Sequence, residues 1–85
     1  MKIIEEKRLR RYVIASLGNP TLYVFRAPFV QNDYALTDDI DYAMKLTNAS
    51  DARTLKNYYN EHERPDEEFV VLPINIVYEL VNEYE

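Results

Sequence analysis

RRYVIASLGNPTLYVFRAPF, residues 10–29, decides the fold of this chain because its pattern changes from strand to turn and back to strand. Residues 10–17 are rich in β-branched and aromatic side chains, and the Gly, Asn and Pro at 18–20 are typical of a turn. One face of residues 21–29 then carries Tyr23, Phe25, Ala27 and Phe29. This period of two predicts an antiparallel hairpin. Its second strand should end at Pro28 or lie at a sheet edge, because proline cannot donate to a ladder.

Residues 37–64 change to helical spacing and predict two helices. The first begins at Thr37, whose hydroxyl is a suitable N-cap, and its apolar positions are Ile40, Ala43 and Met44. The second begins at Asn48, with Asp51 completing the cap, and its apolar face consists of Ala52, Leu55 and Tyr59. It should end before Pro65, because a residue that precedes proline is pushed out of the helical region.

The final segment, EFVVLPINIVYELVNEYE (68–85), fits two structures. A strand over about residues 69–79 is favoured by β-branched content and by the alternation of Ile74, Ile76, Tyr78 and Leu80. Residues 76–85 also fit a helix, through the spacing of Val77, Leu80, Val81 and Tyr84, so both structures stay open there. We predict a single α+β domain over residues 1–85, with residues 1–8 as a flexible or edge segment. Its predicted order is β-β-α-α-β, with a three-stranded antiparallel sheet and helices on one face.

Composition limits the class of protein. A chain of 85 residues forms one domain, and 47% hydrophobic residues are enough for a core. The absence of Cys excludes disulfides and thiolate metal sites. No stretch approaches the roughly 20 apolar residues that cross a bilayer, and the charged start MKIIEEKRLRR (1–11) does not have the pattern of a signal peptide. These features predict a soluble, cytoplasmic protein with no membrane association.

Charge is divided unevenly along the chain, whose net charge is −5. Residues 1–32 hold six basic and two acidic side chains, for a net charge of +4. Residues 33–85 hold four basic and thirteen acidic side chains, for a net charge of −9. A molecule with two such poles suits a charged protein partner or head-to-tail association with a second copy.

Three carboxylates, Asp38, Asp39 and Asp41, lie close together in TDDID (37–41), and three roles are open for them. In the first turn of the predicted helix they would offset the partial positive charge of the helix dipole. A calcium loop is disfavoured, because the stretch has neither the turn glycine nor the terminal glutamate of such loops. With the other acids of residues 33–68, they could also imitate the charge of a nucleic-acid backbone and engage a basic protein.

The sequence offers little for catalysis. His62 is the only histidine, there is no Gly-rich phosphate loop, and neither Ser16 nor Ser50 lies in a nucleophile motif. We therefore predict that the protein is not an enzyme and uses neither a metal nor a cofactor.

The preferred hypothesis is a protein-binding module for a basic partner. Tyr42 and Tyr58 fall beside the predicted apolar stripes and near acidic residues, and exposed tyrosines are enriched at protein interfaces. The predicted contact residues are Asp38, Asp39, Asp41, Tyr42, Tyr58, Glu61, Glu63, Asp66, Glu67 and Glu68.

Two alternatives use other parts of the chain. An exposed sheet edge, or contact between the two charged poles, would make a homodimer of a structural or accessory protein. Direct nucleic-acid binding would depend on KRLRR (7–11), with contacts from Lys7, Arg8, Arg10 and Arg11. Nucleic-acid binding is disfavoured, because most of the chain would repel a phosphate backbone.

RYVIASLGNPTLYVFRAPFV (11–30), followed by LTDDIDYAMKLTNASDARTL (36–55), resembles small accessory proteins of phages and prophages of Gram-positive bacteria. Many of these proteins show a hairpin around a short Pro-containing turn, then a T-D-D-x-x-x-A-x-K stretch and a helix of small residues. Some belong to staphylococcal phage families of unknown function. The resemblance covers about residues 10–60 and implies an intracellular setting in an infected cell. By analogy it implies an inhibitor of host defence, of anti-CRISPR type, that binds a nuclease's nucleic-acid channel.

Overall fold

A computed structural model describes residues 2–27 and 34–82. These residues form β1 (Lys2–Ser16), β2 (Leu22–Arg26), β3 (Tyr34–Thr37), α1 (Ala49–His62) and β4 (Val70–Asn82). The strands make one antiparallel sheet in the order β3-β2-β1-β4. Within the described residues the chain thus has four strands and one helix, so the predicted β-β-α-α-β order with three strands and two helices is wrong.

The hairpin predicted for residues 10–29 forms, but its two strands pair only briefly. Ala15 lies opposite Tyr23, and Ser16 lies opposite Leu22. Beyond these pairs β2 separates from β1 and continues with β3 as its neighbour. β2 ends at Arg26, and the predicted end at Pro28 lies outside the described residues.

The helix predicted from Thr37 does not form, although its cap does. The Thr37 hydroxyl accepts the Asp39 N–H at 3.1 Å, as an N-cap would, but only turns follow. The amides that would continue a helix are used by the sheet, since Met44 and Leu46 donate to backbone carbonyls of β2 and β1 at 3.0 and 2.9 Å. A short helix is marginal by itself, so these sheet hydrogen bonds decide the structure.

α1 forms where the second helix was predicted. The Asn48 side chain accepts the Asp51 N–H at 2.8 Å and donates to the Asp51 carboxylate at 2.8 Å. Ala52 and Tyr59 are buried on one face of the helix. The helix ends at His62, before the Arg-Pro pair that was expected to stop it.

The core lies between α1 and one face of the sheet. Its buried side chains are Ile14, Val24, Tyr59 and Phe69. The Tyr59 ring meets the rings of Phe69 and Tyr34 edge-on, at centroid distances of 5.2 and 6.1 Å. These T-shaped contacts add to the hydrophobic gain of burying three large rings together.

β4 shows that residues 76–82 form a strand, whereas residues 83–85 lie outside the described part of the chain. β4 pairs with β1 from Ala15–Val70 to Lys2–Asn82, with a bulge between Ile3 and Glu5. Residues 2–11 of β1 and 74–82 of β4 have no further described strand beside them, and we call this pair the ribbon. Its length of about 30 Å explains a radius of gyration of 15.9 Å, against about 12 Å for a compact domain of this size.

Candidate protein-binding site

The ribbon has two different faces because side chains alternate along each strand. The β1–β4 register places Leu9 opposite Ile76, so these two side chains project from the same side. The other even-numbered residues of ribbon β4 share that side. We call it the apolar face of the ribbon after its apolar members, Leu9, Ile74, Ile76, Tyr78 and Leu80, which share this side with Glu5, Lys7 and Arg11 of β1.

The opposite face of the ribbon is polar and is bonded internally. The Arg10 Nε donates to the Asn75 side chain at 2.9 Å, and the Arg8 Nε pairs with the Glu6 carboxylate at 2.6 Å. Val77 lies among these polar groups and is exposed. The ribbon is therefore amphipathic, although it lies outside the core.

The apolar face is exposed to solvent at the end of the ribbon that lies far from α1. Tyr78 is 58% exposed and Leu80 is 56% exposed. Burying one such side chain fully contributes about 1.5–3 kcal/mol, so this exposure forgoes a substantial stabilisation. Contiguous exposed apolar surface on a small protein is typical of an interaction site.

The turn of residues 38–45 lies beside the apolar face, and the two form the walls of a groove. A cavity of about 390 Å³ has Ile40, Asp41 and Lys45 on the turn side and Ile74, Ile76 and Tyr78 on the β4 side. A second cavity of about 190 Å³ continues past Tyr78 and is lined by Glu5, Lys7 and Leu80. We call the two cavities together the ribbon groove.

Hydrogen bonds fix the shape of this turn. The Asp39 carboxylate accepts the Asp41 N–H at 2.9 Å. The Lys45 ammonium donates at 2.9–3.0 Å to the backbone carbonyls of Ile40, Asp41 and Ala43. Because backbone oxygens hold this ammonium, the turn keeps its form, with Asp41 lining the groove and both Asp38 and Asp41 exposed.

The predicted contact residues divide into two groups. The first consists of Asp38, Asp39, Asp41 and Tyr42, all exposed in this turn. The second surrounds the end of α1 and consists of Tyr58, Glu61, Glu63, Asp66, Glu67 and Glu68. α1 packs on the side of β4 that carries Val71, whereas the turn borders the side that carries Ile74. Side chains at odd and even positions of a strand point to opposite faces, so one flat partner surface would not reach both groups.

Part of the second group stabilises the end of α1. Asn60 donates to the carbonyls of Arg64 and Glu67 at 2.8 and 2.7 Å, and Arg64 pairs with the Glu67 carboxylate at 3.2 Å. The Tyr58 ring lies 4.6 Å from the His62 ring. Glu67 and Tyr58 therefore have contacts within the chain, which reduces what they offer to a partner.

The basic stretch KRLRR is divided between the two faces of the ribbon. Lys7 borders the ribbon groove, whereas Arg8 and Arg10 lie on the polar face. Arg11 donates to the Arg10 carbonyl at 2.8 Å. The alternation of the strand thus separates cations that are neighbours in sequence, and they do not form one basic patch.

Other kinds of site have little support in the described residues. No group of three or more His, Cys, Asp or Glu there could hold a metal ion. Burial raises the pKa of Tyr59, but this side chain belongs to the core. A depression of about 470 Å³ between α1 and β4 mixes the cations Arg53 and Lys56 with Glu68, so no single ligand charge is favoured.

The sequence showed the alternation from Ile74 to Leu80, yet these residues were not among the predicted contacts. Alternation of residues along a strand indicates which side chains share a face of the sheet. It does not indicate whether that face is covered by another element or open to solvent, because the pattern is the same in both cases. The signal that could have helped is the charged opposite strand, since a core strand rarely carries EEKR at its end.

Comparison with known proteins found no matching family, no similar curated protein and no similar solved structure. In the described residues, the 14-residue helix α1 is too short to cross a membrane.

Proposed function

We propose that this protein is a non-catalytic protein-binding module whose binding site is the ribbon groove. The observation that carries the proposal is the open apolar face, where Tyr78 and Leu80 are more than half exposed. Large apolar and aromatic side chains contribute much of the free energy of protein association when a partner removes them from water. The backbone ladder between β1 and β4 fixes them before binding, which limits the entropy lost on association.

The groove favours a partner that combines apolar and basic side chains. Ile74, Ile76 and Tyr78 line its floor, Asp41 lines its turn side, and Asp38 is exposed in the same turn. An apolar side chain of the partner would fill the groove, and a neighbouring Lys or Arg would meet the carboxylates. The acids at the end of α1 lie on the other side of the sheet and are left out of this site.

The partner class within this proposal is a basic protein that handles nucleic acid. Such a protein binds phosphates with Lys and Arg side chains, and the exposed carboxylates of the turn would compete for them. A CRISPR nuclease is the partner that the phage resemblance implies, and inhibition by occupying its nucleic-acid channel is the activity to test.

A comparative capture experiment tests the proposal. Tagged variants are incubated with a nuclease-treated lysate of a Gram-positive bacterium, and bound proteins are identified by mass spectrometry. We expect wild type and a polar-face control, Val77→Ala, to retain the same basic protein, and Tyr78→Ala/Leu80→Ala to lose it. Asp38→Asn/Asp39→Asn/Asp41→Asn should bind it more weakly, and added salt should weaken wild-type binding, because exposed charges are screened.

Purified partner then replaces lysate in a titration with the same variants. Equal affinity for wild type and Tyr78→Ala/Leu80→Ala would contradict the ribbon groove as the site. Full affinity of the triple asparagine variant would remove the aspartates from the site and leave only its apolar floor.

A further inference from the structure

β1 has a long backbone edge that no described strand covers. On one side, β1 pairs with β4 from Lys2 to Ala15. On the other side, β2 pairs only with Ala15 and Ser16, and Leu46 forms an isolated bridge to Tyr12. An unpaired strand edge is a template on which another chain can add a strand.

Alternation shows which backbone groups face this edge. Tyr12 both donates to and accepts from Leu46 at 2.9 Å, so its N–H and C=O point away from β4. Backbone groups two residues apart point the same way, which places those of Arg10, Arg8 and Glu6 on the same edge. The Arg10 carbonyl already accepts from the Arg11 guanidinium at 2.8 Å.

Both ends of the open edge are fixed by the fold. The bulge between Ile3 and Glu5 interrupts regular pairing at one end, and Leu46 occupies the edge at Tyr12. The segment left for a new strand is EEKRLRR, residues 5–11, which we call the free β1 edge.

We infer that a second copy of this chain pairs antiparallel along the free β1 edge, with Arg8 at the centre of the pair. On this edge the backbone N–H and C=O groups of even-numbered residues point outward. An even-numbered residue of one copy can therefore face only an even-numbered residue of the other copy. Full overlap of the two segments then places Glu6 opposite Arg10 of the second copy and Glu5 opposite Arg11 of the second copy. Each Glu of the segment faces an Arg, and cross-strand pairs of opposite charge stabilise a sheet.

Other registers fit less well. A pair centred on Lys7 sets this cation against itself and leaves Glu5 opposite Leu9, so that only Glu6 of each chain faces an Arg, Arg8 of the other copy. A pair centred on Glu6 sets two carboxylates together. In the register centred on Arg8, the like charges at the centre are compensated, because each Arg8 holds Glu6 of its own chain at 2.6 Å. Charge complementarity therefore favours the register centred on Arg8 over the other two, and it favours a second copy as the occupant.

The outer edge of β4 is less suited to strand addition. Tyr12 lies opposite Pro73 and turns its backbone groups away from β4, so the ring nitrogen of Pro73 faces outward on the far edge. Proline has no N–H to donate, and it interrupts any ladder that would form there.

Sedimentation velocity on the full chain, at concentrations up to about 1 mM, tests the inference without any partner. We expect a monomer–dimer equilibrium for the wild type. Arg8→Pro should weaken dimerisation by at least about tenfold, because it removes an outward N–H at the centre of the pair. That N–H does not bond to β4, so the variant should keep the far-UV circular dichroism of the wild type, which verifies folding.

A charge exchange tests the register. Glu6→Arg should weaken the dimer by at least about tenfold, since it would face Arg10 of the second copy. The exchange Glu6→Arg/Arg10→Glu should restore dimerisation, whereas Glu6→Arg/Arg8→Glu should not. Rescue by the second exchange instead of the first would overturn the register.

A wild type that remains monomeric at about 1 mM would overturn the inference, as would a dimer that Arg8→Pro leaves intact. Tyr78→Ala/Leu80→Ala should still dimerise, and loss of its dimer would place the interface on the apolar face instead. The inference goes beyond the proposed function, and the two can fail separately, because sedimentation uses only this chain and the capture experiment follows a different protein.

Discussion

β1 and β4 run through two halves of the molecule that bury their side chains to very different extents. In the half that we call the head, α1 covers the sheet and leaves Ile14 and Val24 about 1% exposed. In the ribbon, the same strand pair leaves Tyr78 and Leu80 more than half exposed. One backbone ladder thus supports a core at one end and an open apolar surface at the other.

The head supplies most of the free energy of folding in this arrangement. A two-stranded ribbon is marginally stable in water by itself, whereas buried apolar area stabilises by about 25 cal/mol per Å². The ribbon is held because its strands leave the head already paired, at Val13–Leu72 and Tyr12–Pro73. Substitutions with the same chemistry should therefore have different effects in the two halves.

The largest expected difference concerns two tyrosines. Tyr59 is 1% exposed and packs against Phe69 and Tyr34, so Tyr59→Ala should lower the free energy of unfolding by about 3–5 kcal/mol. Tyr78→Ala, on the ribbon, should lower it by less than about 1 kcal/mol. Urea denaturation followed by circular dichroism measures both. Similar losses would show that the ribbon contributes to stability as much as the core of the head does.

A pair of lysines gives the next difference. Lys45 lies where the head meets the ribbon and donates to three backbone carbonyls of the turn, so Lys45→Met should destabilise the protein by about 1–2 kcal/mol. Lys7→Met on the ribbon should change stability by less than about 0.5 kcal/mol. The same denaturation experiment compares them. If Lys45→Met were neutral, the turn would keep its shape without the ammonium.

Local signals in the sequence predicted those elements whose partners are near in the chain. Asn48 with Asp51 marks the start of α1, and the turn at residues 18–20 joins β1 to β2. Thr37 carries the same kind of signal, and its hydroxyl does accept an N–H, yet no helix follows. The Met44 N–H goes instead to Val24, a partner from an earlier strand that no local pattern reveals.

The candidate site was harder to predict for the same reason. Composition showed that acidic residues are abundant, but not which of them lie together. The path of residues 38–48 between β1 and β2 puts the turn of residues 38–45, which we call the aspartate turn, and α1 on opposite sides of the sheet. The alternation of Ile74, Ile76 and Tyr78 was visible too. Its exposure follows from the tertiary arrangement, since α1 packs on the opposite face and the turn of residues 38–45 borders this face only as far as Tyr78.

Two side-chain caps give a third difference in stability between the head and the turn beside the ribbon. Asn48 caps α1 in the head, so Asn48→Ala should cost about 1 kcal/mol of stability. Asp39 caps one N–H of the turn beside the ribbon, and Asp39→Ala should cost less than about 0.5 kcal/mol, because no helix depends on it. Urea denaturation measures both losses of stability, from the shift of each midpoint at an unchanged dependence of the unfolding free energy on urea concentration. A larger loss for Asp39→Ala would place the aspartate turn among the elements that hold the head together.

The smallest expected effect at neutral pH is that of Tyr59→Phe, which keeps the ring and removes the hydroxyl. Burial raises the pKa of Tyr59 above its ordinary value of 10.0, because a phenolate in the core would lose solvation, and the nearby Arg64 charge offsets part of this. In the unfolded chain the hydroxyl ionises near pH 10, whereas in the folded chain it ionises at a higher pH. This contribution to stability is therefore complete below pH 10 and is lost as the pH rises through the folded pKa.

Unfolding free energies measured from pH 8 to about 11 should separate the two chains in that window. Wild type should lose stability more steeply above pH 10 than Tyr59→Phe, by up to about 1.4 kcal/mol per pH unit, because only wild type releases this proton on unfolding. Parallel curves would mean that the Tyr59 hydroxyl titrates alike in both states, which burial in the head does not allow. A steeper curve for wild type would locate the alkaline sensitivity of the fold in the head, at the ring that joins α1 to the sheet.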